Sequence, residues 1–166
     1  MAAKKMQDLL IEELRDIYHA EKQITKALPK MEKAASNDQL KQAFRQHLEE
    51  TKGQIERLEQ VFEKLDTRTR GKHCAAMEGL IEEAKDIMEM DLVPEVRDAA
   101  LIAAAQKVEH YEIAGYGTLH AYATACGLDE VAQLLEETLN EEKKTDQLLN
   151  KLAIEDVNQK AIQAAA

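Results

Sequence analysis

The 166-residue sequence has little of what β-structure and disulfide-stabilised folds require. It contains no tryptophan, two prolines, six glycines and two cysteines, and aromatic residues make up 4% of it. A β-sandwich or barrel needs many turns and strands rich in β-branched or aromatic residues, so this composition disfavours both. Cys74 and Cys126 lie far apart in the sequence, which argues against a disulfide framework and favours a reducing compartment. A chain rich in Ala, Glu, Lys and Leu with few helix breakers is typical of an all-α protein.

Positive charge and long apolar runs are also scarce. There are 22 Lys and Arg against 32 Asp and Glu, giving a net charge of −10. This charge disfavours nucleic acids and anionic membrane surfaces as partners. The longest apolar run, residues 99–105, is too short to span a bilayer, and acidic residues interrupt the N-terminal apolar stretch, unlike a signal peptide. We therefore expect a cytoplasmic protein that binds neither nucleic acid nor membrane.

Apolar residues recur at helical spacing over four long segments and one short one. The predicted helices cover residues 4–35, 38–65, 74–90, 95–126 and a segment from about 129 towards the Ala-rich C-terminus. Ser36 and Gln39 have the spacing of a capping box, and Gly127 is of the type that commonly follows a helix end. Both features predict short turns between neighbouring long helices.

Short turns make the long helices pair as two antiparallel hairpins, and the connection between the hairpins is long and holds the short helix. This order predicts an all-α, ferritin-like four-helix bundle with an extra short helix in the crossover. No segment has the composition of a linker, so residues 1–166 are expected to form one domain.

Polar side chains interrupt the apolar stripe of every long helix. The interruptions are Glu21 on the first, His47, Glu50 and Gln54 on the second, Glu109 and Glu112 on the third, and Glu142 and Asp146 on the fourth. Glu21 and Glu50 lie 15 and 14 residues from Ser36, and Glu112 and Glu142 each lie 15 residues from Gly127. Because residues equally far from a hairpin turn lie at equal height, four glutamates, one per helix, are predicted to converge.

Four carboxylates in an apolar core repel one another and lose their hydration, and a pair of divalent cations would neutralise them. Carboxylate and imidazole ligands from facing helices suit iron or manganese. The candidate metal ligands are Glu21, His47, Glu50, Glu109, Glu112, Glu142 and Asp146. The alternatives are that single glutamates reach the edge of a stripe, that His47 is an ordinary core histidine, and that Glu109 and Asp146 belong to a solvated face.

Five stretches, at residues 17–31, 47–59, 76–84, 97–119 and 135–146, resemble the YciF-like bacterial stress proteins of the ferritin-like superfamily. The three longest are IYHAEKQITKALPKM (residues 17–31), HLEETKGQIERLE (residues 47–59) and RDAALIAAAQKVEHYEIAGYGTL (residues 97–119). The resemblance covers nearly the whole chain and implies a cytoplasmic, stress-associated homodimer.

The superfamily's di-metal pattern, carried over by this resemblance, implies one glutamate ligand per long helix, with Glu50 and Glu142 bridging the ions. In the superfamily a histidine follows the second-helix glutamate, and usually the fourth-helix one, by three residues. Here these positions hold Gly53 and Thr145, and the histidine precedes the glutamate, at His47.

Two functions follow from these observations. A di-iron or di-manganese site would oxidise Fe(II), or reduce peroxide or oxygen. The alternative is a non-catalytic homodimeric stress protein whose buried acidic cluster holds no metal.

Overall fold

Four long helices and one short one make up most of the chain. The computed structural model describes residues 5–164 and contains α1 (Met6–Ala34), α2 (Asp38–Lys64), α3 (Ala75–Glu89), α4 (Pro94–Ala125) and α5 (Asp129–Leu152), followed by a π-helical turn (Ala153–Val157) and α6 (Asn158–Ala164). Within residues 5–164 there is no strand, which confirms the predicted all-α class. Residue 4, where the first predicted helix begins, and the last two residues of the Ala-rich tail lie outside the described residues.

The long helices pack as the predicted pair of hairpins. Helix α1 packs against α2 and α4 against α5, and the hairpins meet through contacts of α1 with α4 and of α2 with α5. Helix α3 lies in the crossover and packs against both α1 and α4. This arrangement confirms the ferritin-like bundle with a short extra helix. None of the helices in residues 5–164 combines the length and the apolar content that crossing a membrane requires.

The first hairpin turn is capped differently from the sequence prediction. The side chain of Asn37, rather than Ser36, accepts hydrogen bonds from the backbone N–H groups of Gln39 and Leu40, at 3.0 and 3.1 Å. The predicted Ser36 capping box is therefore wrong by one residue. The backbone N–H groups of Ser36 and Asn37 instead donate to the buried carboxylate of Asp98 on α4, at 2.7 and 2.8 Å. These two bonds tie the turn of one hairpin to the first helix of the other.

The second hairpin turn follows the sequence prediction. Helix α4 ends at Ala125, and Gly127 adopts a φ of +69°, a left-handed conformation that residues with a Cβ rarely adopt. At the other end of α4, Pro94 occupies the first turn, where its missing N–H leaves no helical hydrogen bond unmade. The two turns thus set the relative heights of the side chains on all four long helices.

Helices α1 and α4 approach closely near the middle of the bundle. A Cβ added at Gly115 would lie 3.0 Å from Cδ1 of Ile17, so a larger residue would need that side chain to shift. The absence of a side chain at Gly115 lets α4 lie against α1 at the height where the acidic residues meet.

Candidate metal centre

On α2, the buried stripe advances in alternating steps of three and four residues, as on the core-facing side of a bundle helix. Its members are Leu40, Phe44, His47, Thr51, Gln54 and Leu58. The sequence prediction counted three residues on from His47 and selected Glu50, whereas the structure continues the stripe four residues on, at the fully buried Thr51. His47 is therefore the side chain that α2 contributes to the interior at this height.

Four side chains from three helices converge in the bundle interior and are called here the central cluster. They are His47, Glu109, Glu112 and Glu142, each of which offers one ligand atom within 4.8 Å of the others. All four are buried. For bonds of about 2.0–2.2 Å to a divalent ion, ligand atoms on opposite sides of the ion lie about 4–4.4 Å apart. The spacing in the central cluster is close to that required around one ion.

The polar atoms of the central cluster lack the hydrogen bonds that buried groups normally make. No group in residues 5–164 donates a hydrogen bond to either carboxylate oxygen of Glu112 or of Glu142. His47 Nε2 lies 3.0 Å from Glu109 Oε1, but neither ring nitrogen makes an aligned hydrogen bond within the described chain. Because an unpaired buried polar group costs roughly 1–3 kcal/mol, and more when charged, this arrangement calls for a proton or a cation.

Glu21 of α1 extends the central cluster and is held by a tyrosine. Its side chain is fully buried, and Oε1 accepts a hydrogen bond from the hydroxyl of Tyr116 on α4. Its other oxygen, Oε2, has no hydrogen-bond partner among the described residues. Tyr116 is also fully buried, so this hydrogen bond fixes the orientation of Glu21 where water has no access.

Burial raises the pKa of every glutamate at this centre, because desolvation disfavours the charged form. The pKa of Glu109 reaches about 8, although its interaction with Glu142 acts in the opposite direction. Besides burial, the charges of Glu142, Glu21 and Glu109 raise the pKa of Glu112. For Glu21, the hydrogen bond with Tyr116 and the interaction with Glu112 offset part of the increase in pKa. Without metal, the centre therefore retains protons at neutral pH.

Glu50, which the sequence predicts to converge with the other glutamates, lies outside the central cluster. Its side chain is half-buried, and its two oxygens accept hydrogen bonds from Gln46 Nε2 at 2.9 Å and Thr145 Oγ1 at 3.5 Å. The physical reason is the choice of step along α2, since the stripe passes from His47 to Thr51. Glu50 is displaced by one residue from that stripe and reaches the α2–α5 boundary instead.

Asp146 likewise lies at the edge of the bundle. Its Oδ1 accepts a hydrogen bond from Gln106 Nε2 at 3.2 Å and lies 3.2 Å from Nε2 of the exposed His110. Of the seven candidate ligands, the structure thus groups four in the central cluster, places Glu21 beside them, and leaves Glu50 and Asp146 at the periphery.

An arginine that the sequence prediction missed fastens α2 to α5 close to the centre. Arg57 donates to both oxygens of Glu141 at 3.0 Å, and its Nη1 also donates to Thr138 at 2.6 Å. Gln54 Nε2 donates to the same Glu141 at 3.1 Å, while its own carbonyl oxygen has no hydrogen-bond partner within residues 5–164. The signal in the sequence is the spacing of Glu137 and Glu141, which places two carboxylates on one face of α5.

The donor set fits a hard or borderline divalent cation. The central cluster offers carboxylate oxygens and one imidazole and no thiolate, and Glu21 adds a further carboxylate. Iron and manganese are the transition metals that such mixed oxygen and nitrogen sites accommodate within helical bundles. The unpartnered oxygens and nitrogens are the observation that supports this fit, because metal ligation would satisfy them.

Comparison with known proteins places the chain among bacterial stress proteins. The model of the family described as a domain of unknown function (DUF892) matches residues 5–162. Protein YciF of Escherichia coli (strain K12) is 56% identical over 162 residues, covering 97% of this chain and 98% of that protein.

Solved structures agree with this placement. The crystal structure of the E. coli stress protein YciF superposes with a TM-score of 0.90 over 93% of this chain and 98% of that one. YcfI from Rhodopseudomonas palustris, described as a putative structural protein, is 51% identical, with a TM-score of 0.86 over 90% of this chain and 98% of that chain. A protein from Xanthomonas campestris pv. campestris, with 22% identity and a TM-score of 0.77 over 98% of this chain and all of that one, shares the fold. The chain therefore belongs to the DUF892 family and is a homologue of the stress protein YciF.

Proposed function

We propose that this protein binds a pair of divalent iron or manganese ions in the bundle core and uses them to oxidise Fe(II) with dioxygen or to reduce peroxide. The observation that carries the proposal is the set of buried, unpartnered ligand atoms on Glu112, Glu142 and His47. In the folded protein these buried groups either keep their protons or bind a cation.

The residues have distinct parts in this function. His47, Glu109, Glu112 and Glu142 would hold one ion, and Glu21, next to Glu112, would complete the donor set for a second. When bound, the metal supplies the electron-transfer chemistry that protein side chains lack. Tyr116 orients Glu21 through its hydrogen bond. The carboxylates release their protons as they become ligands, which couples metal affinity to pH.

The alternative is a non-catalytic stress protein, homodimeric as expected from the resemblance, whose acidic centre holds no metal. The single imidazole at the centre favours it, since di-iron bundle proteins supply two histidines. In this case the raised pKa values keep the glutamates neutral and the centre stable without metal. The two functions differ in how the protein responds to added metal.

A comparison of melting temperatures with and without metal distinguishes the two functions. Metal-free Glu142→Leu should melt at or above metal-free wild type, because it removes a buried carboxylate at similar volume. Metal at a hundredfold excess over its dissociation constant adds about 2.7 kcal/mol to the wild type, or roughly 5–11 °C for a chain of this size. The Glu142→Leu variant should lose most of this shift with Fe(II) or Mn(II) under anaerobic conditions.

The matched control is Glu136→Leu, which removes an exposed carboxylate from the same helix. It should keep the metal-induced shift of the wild type. If neither the wild type nor the control shifts with metal, the di-metal proposal fails and the non-catalytic alternative stands.

His47 and Glu50 give a second test, because His47 belongs to the central cluster and Glu50 does not. His47→Ala should weaken Mn(II) binding by roughly 10–100-fold or more, the loss typical of residues at or next to a metal. Glu50→Ala, on the same helix, should change the dissociation constant by less than about 3-fold. Isothermal titration calorimetry measures both. Equal losses in the two variants, or a larger loss in Glu50→Ala, would contradict the assignment of His47.

The pH dependence of stability tests the protonation of the metal-free centre. Glu109 has a pKa of about 8 in the folded chain and an ordinary pKa near 4.5 when unfolded, so between these values the folded state holds the extra proton. The stabilisation of the folded state by this proton is complete below pH 4.5 and is lost as the pH rises to about 8. From pH 5.5 to 7.5, this group should cost the metal-free wild type roughly 2–3 kcal/mol of unfolding free energy.

Urea unfolding of metal-free protein at the two pH values measures this loss. Glu109→Gln should flatten the pH dependence by that amount, whereas Glu136→Gln, at an exposed position, should retain the wild-type dependence. An unchanged pH dependence in Glu109→Gln would show that Glu109 is already ionised in the folded protein.

A further inference from the structure

A small apolar cavity lies between α1, α3 and α4 and ends at the central cluster. Its volume is about 20 Å³, and its only polar lining residues are His47 and Glu109, at its inner end. Aliphatic side chains such as Ile24, Leu28 and Val108 form the remaining walls. A volume of this size holds one water molecule or one diatomic molecule, and the aliphatic walls offer water few hydrogen-bond partners.

A surface groove lies directly outside this cavity. It has a volume of about 200 Å³ and runs between α1 and α3. Four residues, Ala27, Met31, Ile81 and Ala84, line both the groove and the cavity. One layer of side chains therefore separates the solvent from the inner end at His47 and Glu109.

Three of the four residues in this layer have small or flexible side chains. Ala27 and Ala84 contribute one methyl group each, and Met31 has an unbranched side chain that changes rotamer readily. Met31 is 4% exposed and Ala84 is 1% exposed, so these two side chains largely cover the cavity.

The charges and the lining select the kind of molecule that passes. Among the described residues, Lys26, Lys30 and Lys85 line the groove and no acidic residue does, although Lys85 forms an ion pair with Glu82 at 3.1 Å. These lysines disfavour divalent cations, and the aliphatic cavity beyond them disfavours any ion because of the cost of desolvation. A small, neutral, apolar molecule is the class of ligand that fits both parts.

We propose that this cavity and the groove outside it form the port through which dioxygen reaches the metal centre at its His47–Glu109 side. The identity of the gas as an oxidant rests on the proposed function, whereas the binding of a small apolar molecule in the cavity does not. If the centre held two Fe(II) ions, they would supply two electrons that, together with two protons, would reduce dioxygen to hydrogen peroxide.

The first experiment uses the metal-free full-length protein and two gases. Dissolved dioxygen is paramagnetic and xenon shifts nearby resonances, so methyl NMR locates both. In the wild type, the methyl groups of Ile24, Leu28 and Val108 should show larger effects than the buried methyl groups of Leu10, which does not line the cavity. Equal effects on both sets of methyl groups would overturn the proposal.

Two variants fill the cavity from opposite walls, so that one remains informative if the other does not fold. Ala84→Leu fills it from α3 and Ala105→Val from α4. Ala123→Val, which adds the same volume at a buried position of α4 outside the cavity, is the control. Both filling variants should lose the gas-induced effects at Ile24 and Val108, and the control should retain them.

The second experiment uses Fe(II)-loaded protein and stopped-flow mixing with dioxygen. The filling variants should oxidise Fe(II) at least about 10-fold more slowly than the control, with unchanged Mn(II) affinity. If the filling variants lose gas binding but oxidise Fe(II) as fast as the control, the cavity is not the route of dioxygen, and the proposed function is unaffected. If neither the wild type nor any variant binds metal, the proposed function and the role of the gas as an oxidant are both wrong. Gas binding in the wild type would then still assign the cavity as a site for small apolar molecules.

Discussion

The burial of carboxylates in the middle of the bundle is the constraint on which the other features depend. Glu21, Glu112 and Glu142 are fully buried, where an uncompensated negative charge is unfavourable by several kcal/mol. A fold that keeps such residues must compensate them with protons or cations. The raised pKa values of Glu112 and Glu142 correspond to compensation by protons, and the spacing of the ligand atoms in the central cluster suits compensation by a cation.

The scaffold resists the repulsion within this centre through polar contacts placed around it. Arg57 and Glu141 join α2 to α5, and Asp98 joins the turn of the first hairpin to α4. These contacts connect neighbouring helices around the centre. The helices are thereby held close enough for the acidic side chains to meet, which packing of the apolar stripes alone would not ensure.

The fold was predictable from the sequence because its breakers are few and well placed. Gly127 and the Ser36–Asn37 turn separate helices of similar length, and counting residues from them gave the height of Glu112 and Glu142 correctly. The count was insufficient on α2, where steps of three and four residues are both compatible with a helix. Because of this ambiguity, the sequence prediction selected Glu50 instead of Thr51. Only the packed structure shows which of the two lies on the buried stripe.

Other features depend on contacts between distant segments and could not be read from a linear pattern. The hydrogen bond from Tyr116 to Glu21 joins residues 95 positions apart. The sequence pattern gives no indication that Tyr116 pairs with Glu21. The apolar cavity requires the position of α3 against α1 and α4, and the length of the crossover does not determine this position.

The most direct test of the central claim is an anomalous scattering experiment on crystals soaked in Mn(II). We predict anomalous peaks in the bundle interior between His47, Glu112 and Glu142, and, for a pair of ions, a second peak about 3.5–4 Å away, beside Glu21. Crystals that show Mn(II) only at surface carboxylates, with no peak inside the central cluster, would contradict the assignment of this centre as a metal site.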